Sequence, residues 1–240
     1  MAFDRNSNGY TFAFATIMVV VVGAVLSIAA MSLKPKQVDN IRKEKMRDIL
    51  TTIEVMSKSD DMDKAPELFQ KYIVDQIVLD YNGNVKKGVE AFNVDVKKEY
   101  KSLPPEKRNY PLFIAEKDGK KYYIIPMVGT GLWGPIWGYL ALEEDMTTVY
   151  GASFDHKTET PGLGAEIAQK PFQEQFKGKK IFDENGNFKP IKVIKGGAEP
   201  GDLHGVDAIT GGTITSTGVS EMIERTLKTY VPYFKKQLNV

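Results

Sequence analysis

The sequence predicts an α+β protein in which a single N-terminal transmembrane helix precedes a domain with an antiparallel sheet and flanking helices. Three observations support this prediction. An uncharged apolar stretch near the N-terminus is long enough to span a bilayer. Short strand-like segments separated by tight turns fill the middle of the chain. Amphipathic patterns typical of helices cluster towards the two ends.

Residues 10–33 form the predicted transmembrane helix, after a short tail of residues 1–9. The segment contains no charged side chain, and as a helix it would reach roughly 36 Å, enough to cross a ~30 Å hydrocarbon layer. A cleaved signal peptide is the alternative, since Ser27-Ile28-Ala29 could serve as a cleavage site, but the apolar region of such peptides is usually about 7–15 residues. Because the span has no ionisable group, we expect it to sit in membrane lipid as an anchor and not to conduct ions.

The charges beside this span predict its orientation. Arg5 is the only basic side chain before it. Six basic side chains follow closely: Lys34, Lys36, Arg42, Lys43, Lys45 and Arg47. The positive-inside rule alone would therefore place the large domain in the cytoplasm.

A charged helical connector is predicted for residues 34–65. Apolar residues at Ile49, Ile53 and Met56 have the spacing of an amphipathic helix. The segment with this pattern runs from Lys34 to Lys64, and Asp60-Asp61 together with Pro66 mark its end. Residues 66–240 form the predicted domain.

Five segments of this domain have the pattern of strands, namely residues 73–79, 111–115, 122–127, 137–142 and 147–154. Asp118-Gly119 lies between the second and third and is a strong signal for a two-residue hairpin. Residues 165–176 are expected to be helical, with Pro171 interrupting them, and residues 180–182 and 188–194 flank a further turn. The chain ends in an amphipathic helix from Ser216, the expected N-cap, to about Leu238.

The composition excludes several kinds of chemistry. The 240 residues carry a formal net charge of +1 and show no basic stripe, so we expect no nucleic-acid partner. With no cysteine and only two histidines, the chain cannot form disulfides, thiolate zinc sites, iron–sulfur sites or multi-histidine metal centres. We predict neither a metal site nor a catalytic residue, so any chemistry uses oxygen groups, the backbone or a bound cofactor.

Residues 129–134 spell the glycine pattern G-x-G-x-x-G, which in dinucleotide-binding folds joins a strand to a helix. Here Pro135 and strand-like residues follow, so a Rossmann dinucleotide-binding fold is excluded. The glycines instead indicate a tight turn or a close approach to a planar ligand, with Trp133 and Trp137 beside it. Ordinary core packing is an equally simple reason for the two tryptophans.

Two segments rich in glycine and hydroxyl groups are candidates for ligand binding. They are residues 156–164 and residues 207–216, and each is expected to open a helix. Free backbone N–H groups and the positive end of a helix dipole favour an anion such as phosphate at such a place. A long helix cap is the alternative for the second segment.

The second segment resembles a known motif. Thr210-Gly211-Gly212-Thr213-Ile214-Thr215-Ser216 is similar to the (Ser/Thr)-Gly-Ala-Thr-x-(Ser/Thr) flavinylation motif of FMN-binding domains, with Gly212 in the place of alanine. In that family a separate flavin transferase joins the phosphate of FMN to the threonine hydroxyl. The resemblance implies covalent FMN on Thr213, with cofactor contacts from the surrounding residues Thr210, Gly211, Gly212, Ile214 and Thr215.

Residues 131–134 and 159–164, together with the apolar anchor, extend the resemblance over essentially the whole chain. They are similar to the C subunits of the sodium-translocating NADH:quinone reductase. We expect the isoalloxazine ring to lie against Thr160, Leu163, Gly164 and Trp133, with Glu159 nearby.

The resemblance also implies the setting of the protein. It would be an electron carrier within a multi-subunit respiratory enzyme of the bacterial inner membrane, inactive alone, with flavin, iron–sulfur and membrane subunits as partners. Its FMN domain would face the periplasm, contrary to the flanking charges. Two alternatives remain: the homologous G subunit of the ferredoxin:NAD oxidoreductase complex, and a non-redox membrane-anchored module.

Overall fold

The computed structural model describes residues 7–238. They divide into two units, one up to Lys45 and one from Met46 onwards. Most of the predicted N-terminal tail, residues 1–6, and the last two residues of the predicted domain lie outside the described residues.

The first unit is helical. Helix α1 (Asn8–Thr52) contains the apolar segment, whose large side chains are exposed. Among the described residues it is the one helix with the length and composition to cross a membrane, although a signal sequence near an N-terminus has the same properties. The hydroxyl groups of Thr16 and Ser32 donate to the carbonyls of Phe12 (2.8 Å) and Ala29 (2.9 Å). These bonds satisfy the two hydroxyl groups within the helix itself, as a lipid environment requires.

The prediction that the connector stays helical to Lys64 is wrong, because α1 ends at Thr52. The N–H groups of Val55 and Glu54 donate to the carbonyls of Leu50 and Thr51, both at 3.0 Å, and Glu54 has a φ of 57°. This is the Schellman arrangement that commonly closes a helix. Tertiary packing decides the position, since Ile49, Leu50 and Ile53 are fully buried in the second unit.

The second unit therefore begins inside the predicted connector. Its next helix, α2 (Ala65–Tyr72), starts where the sequence predicted an end. Pro66 lies in its first turn, where the missing N–H has no helical partner to lose. Asp61 caps the preceding 3₁₀ turn, Met62–Lys64, by accepting from the N–H of Asp63 at 3.0 Å.

Five antiparallel strands form the main sheet, in the order β1-β2-β3-β4-β5. Their bounds are Ile73–Leu79, Tyr110–Lys117, Lys120–Thr130, Pro135–Leu142 and Val149–His156. Each contains most of one predicted strand. The turn between β2 and β3 is the predicted one, with positive φ at Asp118 (54°) and Gly119 (74°).

The remaining elements are short, apart from the last helix. They are α3 (Val96–Ser102), α4 (Lys170–Glu174), the parallel pair β6 (Lys192–Ile194) and β7 (Gly205–Asp207), and α5 (Thr213–Leu238). A 3₁₀ turn, Gly164–Ala168, precedes α4, so the expected helix is divided and Pro171 lies at the start of its second part.

Both faces of the sheet are buried. In β3, Tyr123, Ile125 and Met127 pack towards α5, whereas Tyr122 and Ile124 pack with the end of α1 and with α2. The alternation follows from the two-residue period of a strand. Burial of one large apolar side chain contributes about 1.5–3 kcal/mol, so the two layers of helix fix the sheet from both sides.

Helix α5 begins three residues earlier than predicted. Ser216 is not its N-cap but lies buried in the helix, where its hydroxyl accepts from the N–H of Ile209 at 3.1 Å. Gly218 passes close to the end of β3, because an added Cβ would lie 2.3 Å from the carbonyl oxygen of Thr130. The N-terminal part of α5 is thus held against the end of β3.

Candidate cofactor site

Three segments that are distant in sequence meet at the end of β3. They are the turn between β3 and β4 (residues 131–134), the loop after β5 (residues 157–163) and the residues around the start of α5. The hydroxyl of Thr158 donates to the carbonyl of Trp133 at 3.0 Å, which joins the first two. The two ligand-binding segments predicted from the sequence therefore lie beside the predicted glycine turn.

The carboxylate of Glu159 lies at the centre of these segments. Its Oε1 accepts from the backbone N–H of Trp133 at 2.8 Å, and its Oε2 accepts from the hydroxyl of Thr215 at 2.5 Å. Glu159 is only 4% exposed, and its own N–H donates to Nδ1 of His156 at 3.2 Å. Both carboxylate oxygens are thus used within the protein.

Two glycines make room for this carboxylate. An added Cβ at Gly131 would lie 2.6 Å from Oε1 of Glu159. At Gly164 it would lie 2.5 Å from both Oε2 of Glu159 and the hydroxyl oxygen of Thr215. The close approach predicted for the glycine turn is therefore an approach to a buried side chain.

The surface above the carboxylate is apolar. Leu132, Trp133, Leu163 and Ile214 are all exposed, and Trp133 is 65% exposed. Leu163 lies against Gly211, where an added Cβ would be 2.6 Å from its Cδ2. Large apolar side chains that are exposed together mark a candidate binding surface.

The three threonines of the motif have different surroundings. Thr215 is 1% exposed and its hydroxyl is bound to Glu159. Thr210 and Thr213 are exposed, and Thr213 is the first residue of α5. The first N–H groups of a helix have no partner within the helix, so a phosphate is favoured beside Thr213.

Comparisons with known proteins agree with this geometry. Residues 131–228, which include all three segments, match the FMN-binding domain family. The C subunit of the Na(+)-translocating NADH-quinone reductase from Vibrio campbellii is 34% identical, over 91% of this chain and 90% of that protein. The corresponding protein from Pseudomonas aeruginosa is 28% identical, over 92% and 91%. The chain belongs to the C-subunit family of these reductases.

Solved structures of the family share the fold. The crystal structure of the C subunit from Parabacteroides distasonis has a TM-score of 0.75 and 40% identity, and the match covers 84% of this chain and 96% of that one. Shewanella oneidensis NqrC has a TM-score of 0.68 and 27% identity, with coverage of 82% and 97%. The resemblance to the C subunits and the α+β class are confirmed.

Two further residues that were predicted to contact the flavin, Thr160 and Gly212, lie in the segments that meet at the end of β3. Thr160 is exposed, and its carbonyl accepts from the N–H groups of Leu163 and Ala165, both at 3.1 Å, which orders the loop. Gly212 is buried and packs tightly, since an added Cβ would lie 3.0 Å from Cγ2 of Ile209 and 3.3 Å from the N of Gly164. An alanine, as in the family's motif, would need a small shift of these neighbours.

Two other features of the structure, Trp137 and a cleft, lie outside the site. Trp137 packs beneath the Nζ of Lys97, 3.1 Å from its ring centroid, and does not share the exposed surface of Trp133. A cleft of about 850 Å³ between α3, residues 105–111 and residues 221–232 of α5 contains none of the predicted site residues. Across residues 7–238, no cluster of three or more His, Asp or Glu side chains is placed to hold a metal.

Sequence reasoning missed the contacts that join the segments. It placed Glu159 near the flavin but did not pair it with Thr215 or with the turn at Trp133. Thr158 was not singled out either. The only available signal was the pair of glycines that flank Glu159 in space, Gly131 and Gly164, and a sequence does not say what a glycine approaches.

Proposed function

We propose that this chain is the membrane-anchored electron carrier of a sodium-translocating NADH:quinone reductase, with FMN linked to Thr213 by a phosphoester. It relays electrons from NADH towards quinone, and sodium export belongs to the whole complex. The observation that carries the proposal is an exposed threonine at the start of α5, beside an exposed apolar surface, in a chain of the C-subunit family.

The choice of Thr213 rests on the surroundings of the three threonines. Thr215 is unsuitable because its buried hydroxyl donates to Glu159. Thr210 is exposed but precedes the helix. Thr213 combines an exposed side chain with the helix start, so the negative charge of an attached phosphate is stabilised by the dipole and N–H groups of α5.

The residues present fit the flavin. The exposed side chains of Trp133, Leu163 and Ile214 offer an apolar face, and the Thr160 hydroxyl offers a polar group at its edge. FMN, when bound, supplies reversible uptake and release of electrons. This chain holds the ring, covers one face of it from water and fixes the phosphate, which together influence the oxidation state that is favoured.

The setting of the protein is part of the same proposal. A flavin transferase attaches the FMN, the apolar part of α1 lies in the lipid of the inner membrane, and the other subunits of the complex exchange electrons with the flavin. The FMN domain faces the periplasm. The basic residues after the span oppose this orientation, but long domains translocate largely regardless of flanking charge.

Fluorescence of the chain on a denaturing gel tests the attachment. The full chain is coexpressed with a flavin transferase, and we expect a fluorescent band that is lost in Thr213→Ala. Thr217→Ala, at another exposed position of α5, is the matched control and should keep the band. A band that survives Thr213→Ala would refute the assignment. A colourless wild-type chain would contradict the proposed role as an electron carrier.

A further inference from the structure

We infer that Glu159 is the positioning residue of the flavin site, because its buried carboxylate ties the turn at Trp133 to the first turn of α5. The inference rests on the proposed function and deepens it. In this role Glu159 does not contact the ring. Its two hydrogen bonds, to Trp133 and Thr215, form a latch between two segments and shape the binding surface before flavin arrives.

The bonding of the carboxylate supports this role. Its two oxygens reach two different segments, the N–H of Trp133 at 2.8 Å and the hydroxyl of Thr215 at 2.5 Å. The chain separation between Glu159 and Thr215 is 56 residues. A buried acceptor that loses its donors is costly, so these two bonds hold the segments together strongly.

The surroundings of Glu159 suit a fixed carboxylate. No cationic side chain within the described part of the chain forms an ion pair with it. The two hydrogen-bond donors therefore stabilise the side chain in place of a counter-ion. Gly131 and Gly164 lie so close to its oxygens that any side chain there would displace it.

Each bond fixes one functional part of the site. The bond to the N–H of Trp133 holds the turn that presents the exposed indole. The bond to Thr215 holds the first turn of α5, where Thr213 is presented two residues earlier. Loss of the carboxylate should therefore impair flavin attachment without removing any flavin contact.

The rate of hydrogen exchange at the backbone amide of Trp133 tests the latch directly and without flavin. The chain has two tryptophans, so labelling with ¹⁵N-tryptophan gives two backbone amide signals, of Trp133 and Trp137. The experiment uses the full-length Thr213→Ala chain in detergent, which carries no flavin at that site. Trp137 lies in β4, paired in register with Val128 and Asp155, and is the internal control for an intact fold.

We expect Glu159→Ala to speed hydrogen exchange of the Trp133 amide at least 10-fold and to leave that of Trp137 unchanged. Glu159→Gln should have less than a threefold effect, because its amide oxygen can accept from Trp133 while its NH₂ group donates to Thr215. Gly164→Ala leaves Glu159 in place but puts a Cβ 2.5 Å from its Oε2 and from the Thr215 hydroxyl. It should displace the carboxylate and therefore also speed exchange of the Trp133 amide. Glu221→Ala, an exposed change in α5, should have no effect.

The same substitutions in the chain that retains Thr213 measure flavin loading after coexpression with the transferase. We expect Glu159→Ala to reduce the loaded fraction at least fivefold. Reduced loading with unchanged Trp133 exchange would mean that Glu159 acts on the flavin itself and would overturn the inference.

If Glu159→Ala unfolds, the amides of both Trp133 and Trp137 lose their protection from exchange. Gly164→Ala then decides, and unchanged Trp133 exchange in that variant refutes the latch. If the wild type takes no flavin, the proposed function fails, while the exchange result still decides the latch.

Discussion

Single residues of the same type play different parts in this site. Thr213 and Thr215 are two residues apart, yet one is exposed at a helix start and the other is buried against Glu159. Two leucines are similarly exposed but differ in location: Leu163 lies beside Gly211 at the site, whereas Leu203 lies elsewhere. The neighbours of a residue, and not its type, decide its role.

Truncation of Leu163 or Trp133, two exposed apolar side chains of the site, should change the reduction potential of the flavin. In Leu163→Ala or Trp133→Ala, water reaches the ring and stabilises the more charged reduced form, so the potential should rise on the order of 30 mV, or about 1.4 kcal/mol for a two-electron couple. The covalent bond should remain. A redox titration followed by absorbance measures the change, and Leu203→Ala is the matched control. Identical potentials in all three variants would remove Leu163 and Trp133 from the site.

At the scale of elements, α5 and the end of α1 are each held to the rest of the second unit by specific contacts. The start of α5 lies against β3 at Gly218. Glu54, just after α1, accepts hydrogen bonds from Lys177, which follows α4, and at 3.3 Å from the hydroxyl of Tyr150 in β5. Each contact can be removed by one substitution.

Gly218→Ala should destabilise the protein by about 1–3 kcal/mol, as overpacking typically does. The added Cβ would lie 2.3 Å from a backbone carbonyl of β3, which cannot rotate away. Denaturant unfolding of the full chain measures the difference. Thr217→Ala, one residue earlier and exposed, should stay within about ±0.5 kcal/mol. Equal midpoints for the two variants would show that α5 does not need this close approach.

The contact at Glu54 should make part of the stability depend on pH. The hydrogen bond from Lys177 lowers the pKa of Glu54 below its ordinary value, and hydrogen bonds to Glu174 and Glu54 raise the pKa of Lys177. A lowered carboxyl pKa gives stability that is present above the unfolded pKa and is lost as the pH falls through the folded one. Because both groups are partly exposed, the contribution is at most about 1 kcal/mol. The difference in the free energy of unfolding between pH 7 and pH 3 should be smaller in Glu54→Gln than in the wild type. An equal difference in the two proteins would contradict this contribution.

For the whole molecule, the division between anchor and carrier can be tested by shortening the chain. A chain that begins at Lys34 lacks the apolar span but keeps the buried residues Met46, Ile49, Leu50 and Ile53. We expect it to fold, to accept FMN and to fail in restoring NADH-driven quinone reduction to a complex that lacks this protein. Full rescue at equal concentration would show that the anchor is dispensable.

A chain that begins at Pro66, the boundary predicted from sequence, should not fold. It loses those four buried side chains, worth about 1.5–3 kcal/mol each, which together approach the whole stability of a typical domain, about 5–15 kcal/mol. Circular dichroism and thermal melts separate the two shortened chains. A cooperative melt of the shorter one would place the true boundary at residue 66.

The sequence predicted features that are encoded locally. The strands follow a two-residue alternation, and Asp118-Gly119 has the residues that its turn requires. The end of α1 at Thr52 and the start of α5 at Thr213 were misplaced, because burial against distant strands decides both. The bond between Glu159 and Thr215 has no local signal, so only its flanking glycines hinted at it.

Mass spectrometry of the flavin-bearing peptide tests the central claim most directly. Trypsin releases residues 196–225 as one peptide, which contains Thr210, Thr213, Thr215 and Thr217. From the full chain coexpressed with a flavin transferase, we expect this peptide to carry the mass of FMN less one water, and fragmentation to place it on Thr213. Flavin on any other residue, or an unmodified peptide, would contradict the account.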